Sequence, residues 1–74
     1  MSKADDMFKE LGYCLIHCED GFFYYNSINN NAIHFDKVKE RITCYDYDTC
    51  LANAIELVEL QAINEKCKEL GWIE

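Results

Sequence analysis

The middle of the chain, residues 13–47, most limits its fold, because short apolar runs alternate there with polar turns. The runs read "YCLIHC", "FFYYN", "AIHF" and "RITCYDY", and each has the length and the aromatic or β-branched content of a strand. Asp20-Gly21 between the first two runs is typical of a hairpin turn. Strands are expected near residues 13–19, 22–27, 32–36 and 41–47, with further turns at 29–31 and 37–40. Short connections between successive strands predict an antiparallel meander.

Helical periodicity replaces this pattern at the N-terminal end. Ser2 provides a capping side chain, and apolar residues then recur three and four positions apart, namely Ala4, Met7, Phe8 and Leu11. Gly12 can adopt the left-handed conformation that ends a helix. The sequence therefore predicts a short helix over residues 2–11, which needs a sheet to lie on.

The last third of the chain also has a helical period. An apolar stripe precedes the helix-ending Gly71 and consists of Leu57, Leu60, Ala62, Ile63, Cys67 and Leu70. It predicts a helix over residues 57–70. The sequence leaves open whether this helix starts at Thr49, a capping residue, or after a break near Asn53.

These elements define one α+β domain over residues 1–74, with both helices packed on one face of a four-stranded antiparallel sheet. Half of the 74 residues are apolar, and ten are aromatic, namely one Trp, five Tyr and four Phe. That content supports a packed core, although a chain of this length forms only a thin one.

The charge balance limits the partners. Seven basic and fourteen acidic residues give a net charge of −7, which repels nucleic-acid phosphates and anionic lipids. We therefore expect no nucleic-acid or membrane partner. The negative charge favours association with a basic protein. The start, "MSKADDMFKE", is too acidic for a signal peptide, and no run approaches the ~20 apolar residues of a membrane span. A cytoplasmic location is expected.

Five cysteines at irregular spacing indicate free thiols in a reducing compartment. Strand alternation in "CLIHC" places Cys14, Ile16 and Cys18 on one face, and Tyr13, Leu15 and His17 on the other. Cys14 and Cys18 would lie ~13 Å apart, too far for one zinc ion or for a disulfide. We expect these cysteines to face the core.

Neither a bound metal nor a cofactor is expected, although a cross-strand site from Cys18 with Cys44, or from His17 with His34, stays open. No catalytic residue is predicted, since His17 lies on the face opposite the thiols and the surroundings are acidic. Phosphate-binding loops and nucleophile elbows are missing from the sequence. The protein is therefore expected not to be an enzyme.

The run "FFYY" indicates a binding surface. Phe22 and Tyr24 share one face of the sheet, and Phe23 and Tyr25 share the other. The sequence leaves open which face the helices cover, but whichever pair meets them, the remaining pair lies on the far face of the sheet. The candidate interface comprises Phe22, Tyr24, His17, His34, Tyr45 and Tyr47. The alternative is that these tyrosines are half-exposed and only brace cross-strand pairs.

The two ends of the chain, "MSKADDMFKELGY" and "ELQAINEKCKELGW", resemble small uncharacterised proteins encoded in prophages and mobile elements of Gram-positive bacteria. The resemblance covers both predicted helices and about a third of the chain. It implies a phage-associated accessory protein in the cytoplasm, without assigned catalytic residues.

These observations lead to two main functional hypotheses. The first is a small acidic protein that acts through contacts with an unidentified protein partner, and the protein could also form a homodimer. The second is an anti-restriction or anti-defence inhibitor that presents an acidic surface to a nucleic-acid-binding host protein. A metal- or redox-responsive regulator that uses the thiols is a third hypothesis.

Overall fold

The structure is a computed structural model and describes residues 2–74. It contains two helices and four strands in the expected order, with α1 at Lys3–Glu10, β1 at Cys14–Cys18, β2 at Gly21–Asn26, β3 at Asn31–Asp36, β4 at Arg41–Asp46 and α2 at Leu57–Glu69. The predicted α+β class is confirmed. Each predicted element overlaps the observed one, and no end differs by more than one residue.

The four strands form one sheet in the order β1-β2-β3-β4, and every neighbouring pair is antiparallel. Cys18 pairs with Gly21, so the first hairpin loop consists of Glu19 and Asp20, one residue earlier than predicted. Asp36 accepts hydrogen bonds from the backbone N–H groups of Val38 (2.9 Å) and Lys39 (3.1 Å), which fixes the turn before β4. The predicted meander is therefore confirmed.

The helix ends follow local chemistry. Ser2 Oγ accepts a hydrogen bond from the Asp5 backbone N–H at 3.0 Å, which caps α1 as predicted. Gly12 and Gly71, just beyond the helices, have φ angles of 95° and 77°, the left-handed geometry that ends a helix. The longer helix, α2, has thirteen residues, so neither helix within residues 2–74 has the length and apolar character needed to cross a bilayer.

The start of α2, which the sequence left open, lies after the break. Glu56 is the N-cap residue, and its backbone N–H donates to the Glu59 carboxylate at 2.9 Å. Thr49 belongs to the turn after β4, where its hydroxyl accepts from the Leu51 backbone N–H at 3.3 Å. A glutamate pair therefore starts this helix.

Both helices cover one face of the sheet. The Phe8 ring of α1 stacks on Tyr24 of β2 with centroids 3.8 Å apart, and Phe22 stacks on Phe35 across β2 and β3 at 5.1 Å. From α2, Ala62, Ile63 and Cys67 are buried in the same cluster. These contacts form the core, and no helix within residues 2–74 lies on the opposite face of the sheet.

A buried polar network joins α2 to the sheet beneath it. The Tyr13 hydroxyl donates to Glu59, and the Asn31 side-chain amide donates to the Tyr13 oxygen at 2.6 Å. Asn53 donates to Asn31 Oδ1 at 2.7 Å. Burial, and then the neighbouring Glu59 carboxylate, raise the pKa of Tyr13 above its ordinary value.

The apolar stripe predicted for α2 is partly wrong, because Glu59 is buried and two leucines of the stripe are exposed. Leu57 is 69% exposed and Leu60 is 51% exposed, so their prediction as core residues is wrong. At about 100° per residue, Leu57 lies roughly 120° from the centre of the arc formed by Glu59, Ile63 and Cys67 and so points away from the sheet. Leu60 lies at the edge of that arc, on the side of Cys67 but about two turns before it.

Candidate functional site on the open face of the sheet

The face of the sheet opposite the two helices, called here the open face, is defined by strand register. Residues that pair across antiparallel strands lie on the same face. The pairing forms three rows across the sheet, namely Cys14–Tyr25–Ala32–Tyr45, Ile16–Phe23–His34–Thr43 and Cys18–Gly21–Asp36–Arg41. The first two rows carry most of the apolar and aromatic side chains of the open face.

The aromatic rings of the open face touch one another. Tyr47, just beyond the end of β4, has its ring centroid 4.7 Å from Tyr25 and 6.1 Å from Phe23, both on β2. Its ring must therefore cross β3, where Ala32 is fully buried. The Tyr25 hydroxyl donates to Asn30 Oδ1 at 2.9 Å, which fixes that ring. These contacts make a continuous aromatic surface across three strands.

The aromatic surface is accessible to solvent. Tyr47 is 46% exposed and Ile16 is 39% exposed, while Phe23, Tyr25 and Tyr45 are half-buried. Half-buried rings on a sheet with no helix above them differ from isolated exposed aromatics, because they form one contiguous area.

Three of the six predicted interface residues lie on this face, namely Tyr45, Tyr47 and His34. The placement of Phe22 and Tyr24 in the interface is wrong, since they are core residues only 5% and 1% exposed. Their rings contact Phe35 and Phe8. The two residues of "FFYY" that reach the open face are Phe23 and Tyr25.

His17 is the remaining predicted interface residue. It shares the helix-covered face with its register partner Phe22, and the two rings lie 6.4 Å apart. Because β1 is the edge strand, His17 is nevertheless exposed. It therefore does not join His34, and the structure excludes the cross-strand pair of histidines that the sequence left open.

Sequence reasoning missed Ile16, Phe23 and Tyr25 as interface residues. Strand alternation correctly placed Phe23 and Tyr25 on one face and Phe22 and Tyr24 on the other. Alternation alone does not indicate which of the two faces is covered by the helices. The choice between the faces is made by α1, because Phe8 stacks on Tyr24. Register then determines the face of every other strand.

The same register corrects the prediction for the cysteines of β1. Cys14 and Cys18 are exposed, because they pair with Tyr25 and Gly21 on the open face. Cys44 and Cys67 are buried as small core residues, and burial raises the pKa of both thiols. Cys14, Ile16 and Cys18 do share one face, as predicted, but that face is the open face and not the core.

A polar cluster lies at the corner of the open face, where β1 ends. Cys18 Sγ donates to Asp20 Oδ1 at 3.3 Å, and His34 Nε2 lies 3.1 Å from the same oxygen. The sulfur and the imidazole nitrogen are 3.8 Å apart. Gly21 lies between Cys18 and Asp36 in the row, so no β2 side chain separates Cys18 from His34.

The cluster changes the acidity of its members. The Cys18 thiol and then the His34 ring hold the pKa of Asp20 below its ordinary value. Partial desolvation, and then the hydrogen bond to Asp20, raise the pKa of Cys18. A site from Cys18 with Cys44, which the sequence left open, is excluded because those two residues lie on opposite faces of the sheet.

Comparison with protein-family models found no match, and comparisons with curated proteins and with solved structures found no significant match. The resemblance to prophage-encoded proteins therefore stays a prediction.

Proposed function

We propose that this protein is a non-enzymatic binding protein that docks another protein through the open face. The observation that carries the proposal is the contiguous ring surface of Phe23, Tyr25 and Tyr47, which lies opposite both helices. Aromatic side chains are enriched in protein interfaces. In a chain of 74 residues, leaving such a surface uncovered forgoes part of the hydrophobic stabilisation available to a small domain.

The binding surface has an apolar centre, and its edge carries acidic groups beside the exposed Arg41 of the third row. Asp20, at the corner, has a side chain 51% exposed, and Glu19 and Asp48 are exposed in the turns that border the sheet. The net charge of −7 has the same sign. A partner that fits this surface has an apolar patch surrounded by lysine or arginine, so that charge speeds association and ring burial holds the complex.

A second copy of the chain fits this surface less well. Two identical copies each carry a net charge of −7, so bringing them together costs free energy at low salt. A different, basic protein of the phage or host is therefore the proposed partner. Self-association is one outcome that the experiment below distinguishes.

The acidic-inhibitor hypothesis has weaker support, because several carboxylates accept hydrogen bonds inside the molecule. They are Asp5, Asp36, Asp46, Glu59 and Glu69. A phosphate mimic needs carboxylates that are free on one surface. These five groups instead stabilise turns, helix ends and contacts between elements.

The proposal is tested by affinity capture from host lysate with three baits. The bait with Phe23→Ser and Tyr47→Ser lacks two rings of the open face. The control bait, Leu57→Ser, loses an apolar side chain that is 69% exposed on α2, away from the open face. Proteins held by wild type and by the Leu57 variant, but not by the double variant, are the expected result, and captured partners are then confirmed by direct titration with purified protein.

Equal capture by all three baits, or loss confined to the Leu57 variant, contradicts the proposal. Light scattering over a range of concentrations tests the homodimer separately. A dimer that the double variant abolishes would identify the partner as a second copy and overturn the proposal of a basic partner. Circular dichroism confirms that each variant is folded before its binding is compared.

A further inference from the structure

Three donor atoms of different chemistry meet at the corner of the open face. Cys18 Sγ, Asp20 Oδ1 and His34 Nε2 lie within 3.8 Å of one another. We propose that they form a binding site for one zinc ion. This inference does not depend on the protein-binding function, because the three donors belong to one chain.

The spacing of the donors matches a tetrahedral ion. With zinc bonds of ~2.3 Å to sulfur, ~2.0 Å to nitrogen and ~2.1 Å to oxygen, tetrahedral angles separate sulfur from nitrogen or oxygen by about 3.6 Å, and nitrogen from oxygen by about 3.3 Å. The observed separations are 3.8 Å for sulfur to nitrogen, 3.3 Å for sulfur to oxygen and 3.1 Å for nitrogen to oxygen. Each differs from the ideal edge by a few tenths of an ångström, which small side-chain rotations can supply.

The donor chemistry selects the metal. Calcium and magnesium take oxygen donors almost exclusively, so a thiol and an imidazole disfavour both. Thiolate, imidazole and carboxylate are together the three protein ligand types of zinc. Cys18 gives its thiol proton to solvent on binding, and the resulting thiolate and the Asp20 carboxylate together neutralise the two positive charges of the ion, with His34 neutral.

The backbone holds the three donors in place without an ion. Cys18 and Gly21 close the two-residue loop that carries Asp20, and the Asp20 carbonyl accepts from the Lys37 backbone N–H at 2.8 Å. His34 lies in the interior strand β3, paired on both sides with Phe23 and Thr43. Donors fixed to rigid elements lose little conformational entropy on binding, which favours metal affinity.

Three protein ligands leave the fourth tetrahedral position to solvent. The Asp20 side chain is 51% exposed and that of His34 is 21% exposed, so an ion can enter from the open face. Cys14 and Cys18 are too far apart along β1 to share one ion, and they lie in different rows. The proposed site uses one of those thiols with groups from the adjacent turn and from β3.

The test is titration of the reduced protein with Zn²⁺, and separately with Co²⁺ as a spectroscopic probe. Wild type is expected to bind one equivalent of Zn²⁺, and the cobalt form should show a thiolate charge-transfer band with the strong visible bands of tetrahedral cobalt. Cys18→Ser and His34→Ala should each weaken binding by more than about tenfold.

Two matched controls separate this site from general thiol and imidazole binding. Cys14→Ser removes an exposed thiol from the same strand and the same face, and His17→Ala removes the other histidine, which lies on the opposite face. Both variants should bind Zn²⁺ as wild type does. The inference is overturned if wild type binds no Zn²⁺, if Cys14→Ser weakens binding as much as Cys18→Ser, or if the cobalt form lacks the thiolate band.

Discussion

The Lys66 ammonium of α2 lies 3.2 Å from the Asp5 carboxylate of α1, although the two residues are 61 positions apart in the chain. The same carboxylate accepts a hydrogen bond from the Tyr24 hydroxyl at 2.5 Å. The ammonium also lies 5.2 Å from the centre of the Phe22 ring, a cation–π distance. One lysine therefore holds both helices and the sheet together.

Replacing Lys66 should reduce stability more than its charge alone suggests. The Lys66 side chain is only 12% exposed, so Lys66→Met keeps most of the apolar packing but leaves Asp5 without its cation. We expect a loss of about 1–2 kcal/mol in the free energy of unfolding, below the range for fully buried pairs because Asp5 is partly exposed. Urea denaturation measures this.

The control for that prediction is Lys68→Met, on the same helix, where the side chain is exposed. It should change stability by less than about 0.5 kcal/mol. An equal loss in the two variants would show that the contact between Lys66 and Asp5 contributes no more than a general surface charge.

Phe22 and Phe23 are neighbours in sequence but lie on opposite faces, which gives a direct test of the assigned faces. Phe22→Ala removes a core ring that is 5% exposed and should cost about 3–5 kcal/mol. Phe23→Ala removes a half-buried ring from the open face and should cost about 1 kcal/mol or less, since less apolar area is lost from contact. Thermal and urea unfolding of both variants would refute the assigned faces if Phe23→Ala were the more damaging.

Unfolding at alkaline pH should be driven by two tyrosines. Burial first, and then hydrogen bonds to Glu59 and Asp5, raise the pKa of Tyr13 and of Tyr24 in the folded protein. A raised folded pKa contributes stability that is complete below the unfolded value of about 10 and is lost as pH rises above it. We therefore expect the free energy of unfolding to decrease steeply above about pH 10.

Ultraviolet difference spectra, recorded with circular dichroism as pH rises, measure this linkage. Part of the phenolate signal should appear only together with the loss of secondary structure. Tyr24→Phe should make the decrease of stability with pH less steep. Complete ionisation of all the tyrosines while the fold persists would contradict the prediction.

The five thiols should react in an order set by burial and acidity. Cys14 and Cys50 are exposed and should react first with a disulfide reagent. Cys18 is exposed too, but its raised pKa lowers its thiolate fraction, so it should follow. Cys44 and Cys67 are buried with raised pKa values and should react last, limited by unfolding.

Mass spectrometry of timed aliquots, after digestion, assigns each modified cysteine. Modification of Cys44 at the rate of Cys14 without denaturant would contradict the assigned sheet faces. Added Zn²⁺ gives a further comparison, because the proposed metal site would protect Cys18 and leave Cys14 reactive.

Much of the fold could be predicted because its cues are local. Ser2 caps α1 through a neighbouring backbone N–H, and Gly12 ends the helix three positions after Lys9. The start of α2 was less certain, because glutamate at position 56 is a weak N-cap residue without its partner. Glu59 supplies that partner only when its carboxylate turns inward toward Tyr13.

The candidate site was only partly predictable. His34, Tyr45 and Tyr47 were identified from residue type and strand alternation. Phe22 and Tyr24, which are buried, were chosen in place of Phe23 and Tyr25. The cluster of Cys18, Asp20 and His34 was not foreseen, because its members come from two strands and a turn. Their approach depends on the register between β1, β2 and β3, which no spacing along the chain specifies.

The sequence by itself determined the order of the elements, the positions of the turns to within a residue, and which residues of each strand share a face, because these depend on contacts a few residues apart. Only the tertiary structure decided which face the helices cover. The backbone of a strand is the same on both faces, so it does not select the face that is buried. The contacts of Phe8 and Asp5 of α1 with Tyr24 select that face. With that contact in place, the pairing of the strands buried the rings of Phe22 and Tyr24 and left Phe23, Tyr25 and the Cys18 thiol on the open face.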